Sequence, residues 1–193
     1  MSLCVAVVVN KKYEKYVPYF CFFTKKSYPK CKIKIFALDR LSDKVRNFVC
    51  NNYRQDEVSV IERFFAGFPK SNQELKTFRW LIPEEYFVSH KYVYIGDIDM
   101  LICKESPGLL EQHIEHCSKN KLSYSNCVRP NTKRLTGLHF FETKPYYKKM
   151  SKVIERYTKA LKDNRLGLKS GTRNEEVLYS CLLYTSDAAD EFM

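Results

Sequence analysis

Tyr92-Val93-Tyr94-Ile95-Gly96-Asp97-Ile98-Asp99-Met100-Leu101-Ile102 is an apolar run broken by two carboxylates one residue apart. Tyr92 to Ile95 has the composition of a buried strand. Strand geometry repeats every two residues, so Asp97 and Asp99 are expected on the same side of that strand or of its immediate extension. Two like charges held so close repel unless a cation lies between them, and paired carboxylates are hard oxygen ligands suited to a divalent metal. Open α/β sheets place their ligands at the carboxyl ends of buried strands, and a metal held by carboxylates there suggests phosphate chemistry. The plainer alternative is a strand that stops at a polar turn and then resumes.

On either side of this run, strand and helix signals alternate. Leu3-Cys4-Val5-Ala6-Val7-Val8-Val9 is a continuous apolar run of buried-strand length ending at Asn10. Tyr16, Val17, Phe20, Cys21 and Phe23 recur at helical spacing, with Pro18 tolerable only in a first turn. Ile33 to Leu38 reads as a second strand and Ser42 as a helix cap, and Val45, Phe48, Val49 and Tyr53 form that helix's core stripe. Val58 to Ile61 is a short third strand. Ser71-x-x-Glu74 is a capping box opening a helix with Phe78, Leu81 and Ile82. Beyond the Asp-x-Asp strand, Leu110, His113, Ile114 and Cys117 mark a helix and Thr136 to Phe141 a strand. Tyr146, Met150, Val153, Ile154, Tyr157 and Leu161 line a long helix. The alternation predicts one α/β domain with a mostly parallel central sheet flanked by helices.

The chain carries 33 Lys and Arg against 22 Asp and Glu, a net charge of +11. Such a balance favours anionic partners: nucleotides, phospholipid surfaces, anionic glycans or nucleic acid. Cys4, Cys21, Cys31, Cys50, Cys103, Cys117 and Cys127 form no Cys-x-x-Cys pair, which speaks against a zinc ribbon or a thioredoxin motif. With Cys181 set aside in the tail discussed below, their odd number, the lack of a basic flank before the apolar start and the absence of an Asn-x-Ser/Thr sequon lead us to expect a cytoplasmic protein. No apolar run reaches membrane-spanning length.

The order of these landmarks resembles GT-A-type glycosyltransferases of the glycogenin and bacterial lipopolysaccharide-galactosyltransferase group, over residues 3–180. The motifs are Asn10-Lys11-Lys12-Tyr13 after the first strand, Leu38-Asp39-Arg40-Leu41-Ser42 after the second, Phe78-Arg79-Trp80-Leu81-Ile82-Pro83-Glu84, Ile95-Gly96-Asp97-Ile98-Asp99, Leu135-Thr136-Gly137-Leu138-His139-Phe140, and Asn174-Glu175-Glu176-Val177-Leu178-Tyr179. The resemblance implies a Rossmann-like GT-A fold and a metal-dependent, retaining transfer of a sugar from a nucleotide-diphosphate sugar, a UDP-sugar above all, to a glycan or lipid-linked acceptor. Val8, Asn10, Tyr13 and Arg79 would meet the donor with Asp97 and Asp99, the last two also holding Mn²⁺ or Mg²⁺. A third ligand, a His, would follow residue 179. Thr136, Gly137 and His139 would face acceptor or sugar, and Glu175 or Glu176 the reacting centre.

The residues themselves leave several roles open. Tyr13 offers a flat face for a base or is a partly buried surface Tyr. Glu175 and Glu176 could act as nucleophile, base or hydrogen-bond partner, or merely complement a helix dipole. His139 could touch a ligand or lie buried beside Phe141, whereas His113 and His116 read as a helix face rather than a metal cluster.

From Lys144 to Arg173 ten basic residues face two acids. They form either a solvated face or a dock for an anionic acceptor or membrane, with Lys148, Lys149, Lys152 and Arg156 on or near one side, which would put the protein at the inner face of a membrane. A sugar-nucleotide pyrophosphorylase would carry a Gly-rich loop after the first strand, and Asn10-Lys11-Lys12-Tyr13 has none. A basic nucleic-acid module is a further alternative, yet no motif for sequence-specific nucleic acid is present.

Cys181 to Glu191 resembles a translated transposase-type sequencing adapter. The expected organisation is therefore a catalytic domain over 1–180, cut short at its carboxyl end, followed by a non-native tail over 181–193. An inactive fragment of a glycosyltransferase is accordingly one more expectation.

Overall fold

The computed structural model describes residues 2–68, 72–128, 130–131, 135–163 and 177–178. Strand β1 (Leu3–Val9) lies at the centre, buried along nearly its whole length. It pairs in parallel with β2 (Lys32–Ala37) on one side and β4 (Tyr92–Gly96) on the other, and β3 (Val58–Ile61) pairs in parallel with β2. Among the described residues, β5 (Tyr124–Val128) and β6 (Leu135–Glu142) bring the sheet to six strands in the order β3-β2-β1-β4-β6-β5. β6 runs antiparallel to both neighbours, so the sheet is mixed, with its parallel half carrying the strand ends of interest.

Strand alternation splits the core into two layers. Leu3, Val5, Val7 and Val9 face α1 (Val17–Ser27), α2 (Asp43–Asn52) and α4 (Leu109–Lys119). Cys4 and Ala6, with Phe36, Ile95 and Phe141, face a 3₁₀ turn over Phe78–Leu81 and the long α5 (Thr143–Lys162). Pro18 sits in the first turn of α1, where its missing N–H costs nothing. Ser42 stands at the N-cap of α2 in extended conformation but makes no side-chain cap bond; Asp43 in the first turn complements the helix dipole.

The helix expected after Ser71 is short. α3 covers Asn72–Thr77, then tightens into the 3₁₀ turn, and the chain is extended at Ile82. Pro83 accounts for that last step, because its ring excludes helical geometry at the residue before it. Two hydrogen bonds lock α5 beneath this turn and β4. Tyr147 Oη donates to the Ile82 carbonyl at 2.7 Å, and Thr143 Oγ1 donates to the His90 carbonyl at 2.6 Å. Buried bonds of this kind contribute about 1 kcal/mol each. Val177 and Leu178 are buried in the same layer. No helix among the described residues is long and apolar enough to cross a membrane.

Candidate active site

The carboxyl ends of β1, β2 and β4 come side by side at one rim of the sheet. At the end of β1, Asn10 closes a tight turn: both its carbonyl and its side-chain Oδ1 accept the Tyr13 N–H, at 3.1 and 3.2 Å. Tyr13 is thereby held half-buried, 6.0 Å from the Tyr16 ring, with Lys12 Nζ 5.7 Å above its own ring. Lys11 ties this turn to the end of β2, donating to the Arg40 carbonyl and to Glu14. Burial pushes the Glu14 carboxyl up, but the Ser42 N–H and Lys11 outweigh it and hold the group below its ordinary range. Val8 is half-buried on the α5 side, in register with Phe36.

β4 ends at Gly96 and does not resume. The Met100 N–H donates to the Asp97 carbonyl at 3.2 Å, closing a turn over 97–100, so the two-residue alternation stops at Asp97. Inside that turn Ile98 is buried under the α1 layer, while Asp97 stays partly accessible and Asp99 is exposed. Asp97 pairs with the Arg79 guanidinium, delivered by the 3₁₀ turn that Tyr147 supports. Asp99 borders a groove of about 960 Å³ between α1 and α2, together with Tyr16, Tyr19, Phe48 and Leu101.

His139 lies in β6 opposite Ile95 and is fully buried. The rings of Trp80, Tyr124 and Tyr146 lie within 5.0 to 5.4 Å of it. Burial pushes its pKa down to about 3, with His113 and Arg79 adding to the effect, so the ring is neutral. Asn126 Nδ2 lies 3.4 Å from His139 Nδ1, and Thr136 Oγ1 donates to Asn126 Oδ1 at 2.9 Å. Thr136, Gly137 and His139 thus share one strand, but His139 is a core residue. Neither Asn126 nor Trp80 stands out in the sequence as a partner of His139; Asn126 belongs to an edge strand of weak apolar pattern. His113 is on a helix, as expected; on α4 it is half-buried, stacked 4.9 Å from Phe140 with Nδ1 2.9 Å from Ser125 Oγ. Glu175 and Glu176 lie outside the described residues.

The donor chemistry of Asp97 and Asp99, carboxylate oxygens at a strand end, fits Mg²⁺ or Mn²⁺. Among the described residues no group of three or more His, Cys, Asp or Glu forms a metal-binding cluster, and Asp97 and Asp99 do not share one side as strand alternation led us to expect: the turn over 97–100 leaves Asp97 on Arg79 and sends Asp99 to the groove between α1 and α2. On α5, Lys148, Lys149, Lys152 and Arg156 are all exposed on the side away from the core.

No protein-family model matches the sequence, and no curated protein matches it. Solved structures do. The galactosyltransferase LgtC in complex with donor and acceptor sugar analogs is similar over 93% of this chain and 70% of its own length, with a TM-score of 0.54 and 17% identity. The apo-form glycosyltransferase GlyE of Streptococcus pneumoniae TIGR4 matches over 95% of this chain and 43% of its own, with a TM-score of 0.59 and 10% identity. TarS 1-349 of S. aureus matches over 94% and 56%, with a TM-score of 0.50 and 16% identity. The chain has a GT-A glycosyltransferase fold. It spans 43% to 70% of the length of these neighbours. In a GT-A fold the rim built by Asn10, Tyr13, Arg79, Asp97 and Asp99 stands at the carboxyl ends of the parallel strands, where ligands of open α/β sheets bind.

Proposed function

We propose that this protein transfers a sugar from a nucleotide-diphosphate sugar, a UDP-sugar, to a glycan or lipid-linked acceptor, with Mn²⁺ or Mg²⁺ as cofactor. The observation that carries the proposal is the Arg79–Asp97 pair at the carboxyl end of β4 in a GT-A fold. A cation and a metal-type carboxylate side by side form a diphosphate site in outline. Arg79 stabilises the negative charge that develops on the departing nucleoside diphosphate. A metal held by Asp97 and Asp99 supplies Lewis-acid assistance to that same departure when bound. Tyr13, fixed by the Asn10 turn, presents a ring face to the base. The retaining outcome and the parts of Glu175 and Glu176 rest on the family resemblance.

The test is release of nucleoside diphosphate from a panel of nucleotide sugars with and without Mn²⁺. UDP release that requires the metal is expected. Pyrophosphate-dependent formation of a nucleotide sugar instead would favour the pyrophosphorylase alternative. Failure of every donor to bind would end the proposal for this chain.

We also propose peripheral contact with an anionic membrane through Lys148, Lys149, Lys152 and Arg156. Charge is its support: each basic residue near anionic lipid contributes about 1 kcal/mol. Replacing all four by Gln should weaken vesicle binding and spare donor hydrolysis, and equal loss of both would assign these residues to the fold or the cleft.

A further inference from the structure

The described residues expose six large apolar side chains to a substantial degree; two of them, Tyr19 and Leu101, border one groove, and two more are their near neighbours in the chain, Phe22 on the same helix and Met100 beside Leu101. Tyr19 (61% exposed) and Phe22 (51%) are on α1, and Met100 (39%) and Leu101 (56%) are in the segment that leaves the Asp-x-Asp turn. Scattered single apolar residues on a surface need no explanation, but this concentration does. The two parts are joined. Tyr19 and Leu101 border the same groove, and Tyr28 at the end of α1 donates its hydroxyl to the Cys103 carbonyl at 3.3 Å while accepting the Leu109 N–H at 3.2 Å.

The exposed charge on α1 and its entry is basic. Glu14 is neutralised by Lys11, Lys25 and Lys32 pair with Glu57 and Asp56, and Lys12, Lys15 and Lys26 are exposed. Lys15, Tyr19, Phe22 and Lys26 follow one another at spacings of four, three and four, so they form one stripe along the helix and its entry. Lysine stems lie against rings here: Lys26 Nζ is 5.8 Å from the Phe22 centroid and Lys15 Nζ 5.2 Å from that of Tyr16. A long side chain with an apolar stem and a charged head, set among aromatic rings, is suited to the boundary between hydrocarbon and headgroups. A second copy of the chain would bring a similarly basic surface and be repelled.

We propose that the outer face of α1 and the segment after Asp99 form a membrane-interfacial surface. It rests on an anionic bilayer with Tyr19, Phe22, Met100 and Leu101 at the acyl boundary. The groove that reaches Asp99 opens beside this surface, so a lipid-linked acceptor in the same bilayer arrives at the candidate metal end. That use of the surface rests on the transfer proposal; the surface itself does not. α5 differs, because its basic face carries none of the exposed large apolar side chains among the described residues. It also lies on the opposite side of the sheet from α1, so the two faces cannot rest on one bilayer together, and the variants of each face assign vesicle binding to one or the other.

The experiment is cosedimentation with vesicles of phosphatidylglycerol and phosphatidylcholine, without donor or metal. The unaltered protein should bind anionic vesicles and keep part of that binding in molar salt, because apolar burial is not screened. Phe22→Ser with Leu101→Ser should lower the partition coefficient by at least about tenfold, at unchanged melting temperature. A reporter pair gives a second readout that does not depend on loss. Phe22→Trp should be quenched by brominated lipid, whereas Val88→Trp, exposed before the amino end of β4, should not. No vesicle binding by the unaltered protein, equal binding by the double variant, or equal quenching at both positions would each overturn the proposal. So would a change in self-association of the double variant in the absence of lipid, which would make the face a contact between copies. Donor release measured in parallel keeps the two proposals separate, since either can fail while the other stands.

Discussion

Arg79, on the 3₁₀ turn before β4, and Asp97, the first residue beyond that strand, form an ion pair across the rim of the sheet. The guanidinium occupies a carboxylate that a metal would also use and, on the proposed function, would meet phosphate oxygens. Arg79→Gln should weaken UDP binding about tenfold, near 1.4 kcal/mol. Arg79→Lys should fall between the two, because an ammonium lacks the planar fork that matches phosphate. Stability should change by less than about 1 kcal/mol, as water reaches both partners. Calorimetric titration with UDP decides the matter, and unaltered affinity in the Gln variant would remove Arg79 from the site.

Asp99→Ala should abolish metal-dependent donor binding and leave the fold intact, since the side chain is exposed in a turn. The substitution relieves carboxylate repulsion in the free protein yet leaves the cation short of a ligand. Mn²⁺ binding followed by electron paramagnetic resonance reports the loss directly. Turnover that still depends on Mn²⁺ in this variant would take Asp99 out of the metal site.

Tyr13 tests the base. Its backbone is fixed by Asn10, so the ring is available without reorganisation. Tyr13→Ala should cost about 1 kcal/mol of uridine affinity, the low end for base–aromatic stacking, while Tyr13→Phe should cost little. Equal losses in the two variants would point to the hydroxyl rather than the ring face.

His139 makes stability depend on pH. Its pKa falls from the ordinary 6.5 to about 3 on folding, through burial first. Between these values the unfolded chain takes a proton that the folded chain refuses, so acidification favours unfolding and stability rises with pH. The slope approaches about 1.4 kcal/mol per pH unit for one such group. Burial lowers His90 and His113 as well, with the same sign. Urea melts from pH 7 to pH 4.5 should show this fall, and His139→Leu should flatten it. An unchanged slope in that variant would assign the pH dependence to other groups.

Most of the parallel half of the sheet can be read from the chain, because Leu3–Val9 and Val58–Ile61 are apolar or β-branched runs whose ends coincide with polar residues. The mixed direction is less legible. β5 is Tyr-Ser-Asn-Cys-Val, an edge strand whose Ser125 and Asn126 face side-chain partners from α4 and β6, so its polar residues conceal it. Around the candidate site, two-residue alternation puts Asp97 and Asp99 on one side of the strand or its immediate extension, whereas Gly96 ends the strand and a turn redirects Asp99 towards α1 and α2. Turn closure overrides alternation there. His139 could be ligand or core by strand pattern alone. Trp80, Tyr124 and Tyr146 decide it, and they come from a 3₁₀ turn, a neighbouring strand and a helix that only the fold brings together.

β1 sits between a strand made soon after it and one made much later, β4, which begins only at Tyr92. On the ribosome, then, one edge of Leu3–Val9 waits without its partner while residues 62–91 are added. That delay is a few seconds at roughly 5 to 20 residues per second. Seven apolar residues without a charge make an edge that other chains can pair with. Production of this protein is accordingly a race between the arrival of β4 and aggregation of nascent chains. Chains stalled just after β3 should bind a holdase chaperone or precipitate, and chains stalled beyond Ile102 should do so less. The central strand thus makes the speed of translation, rather than the finished fold, the point at which soluble yield is decided.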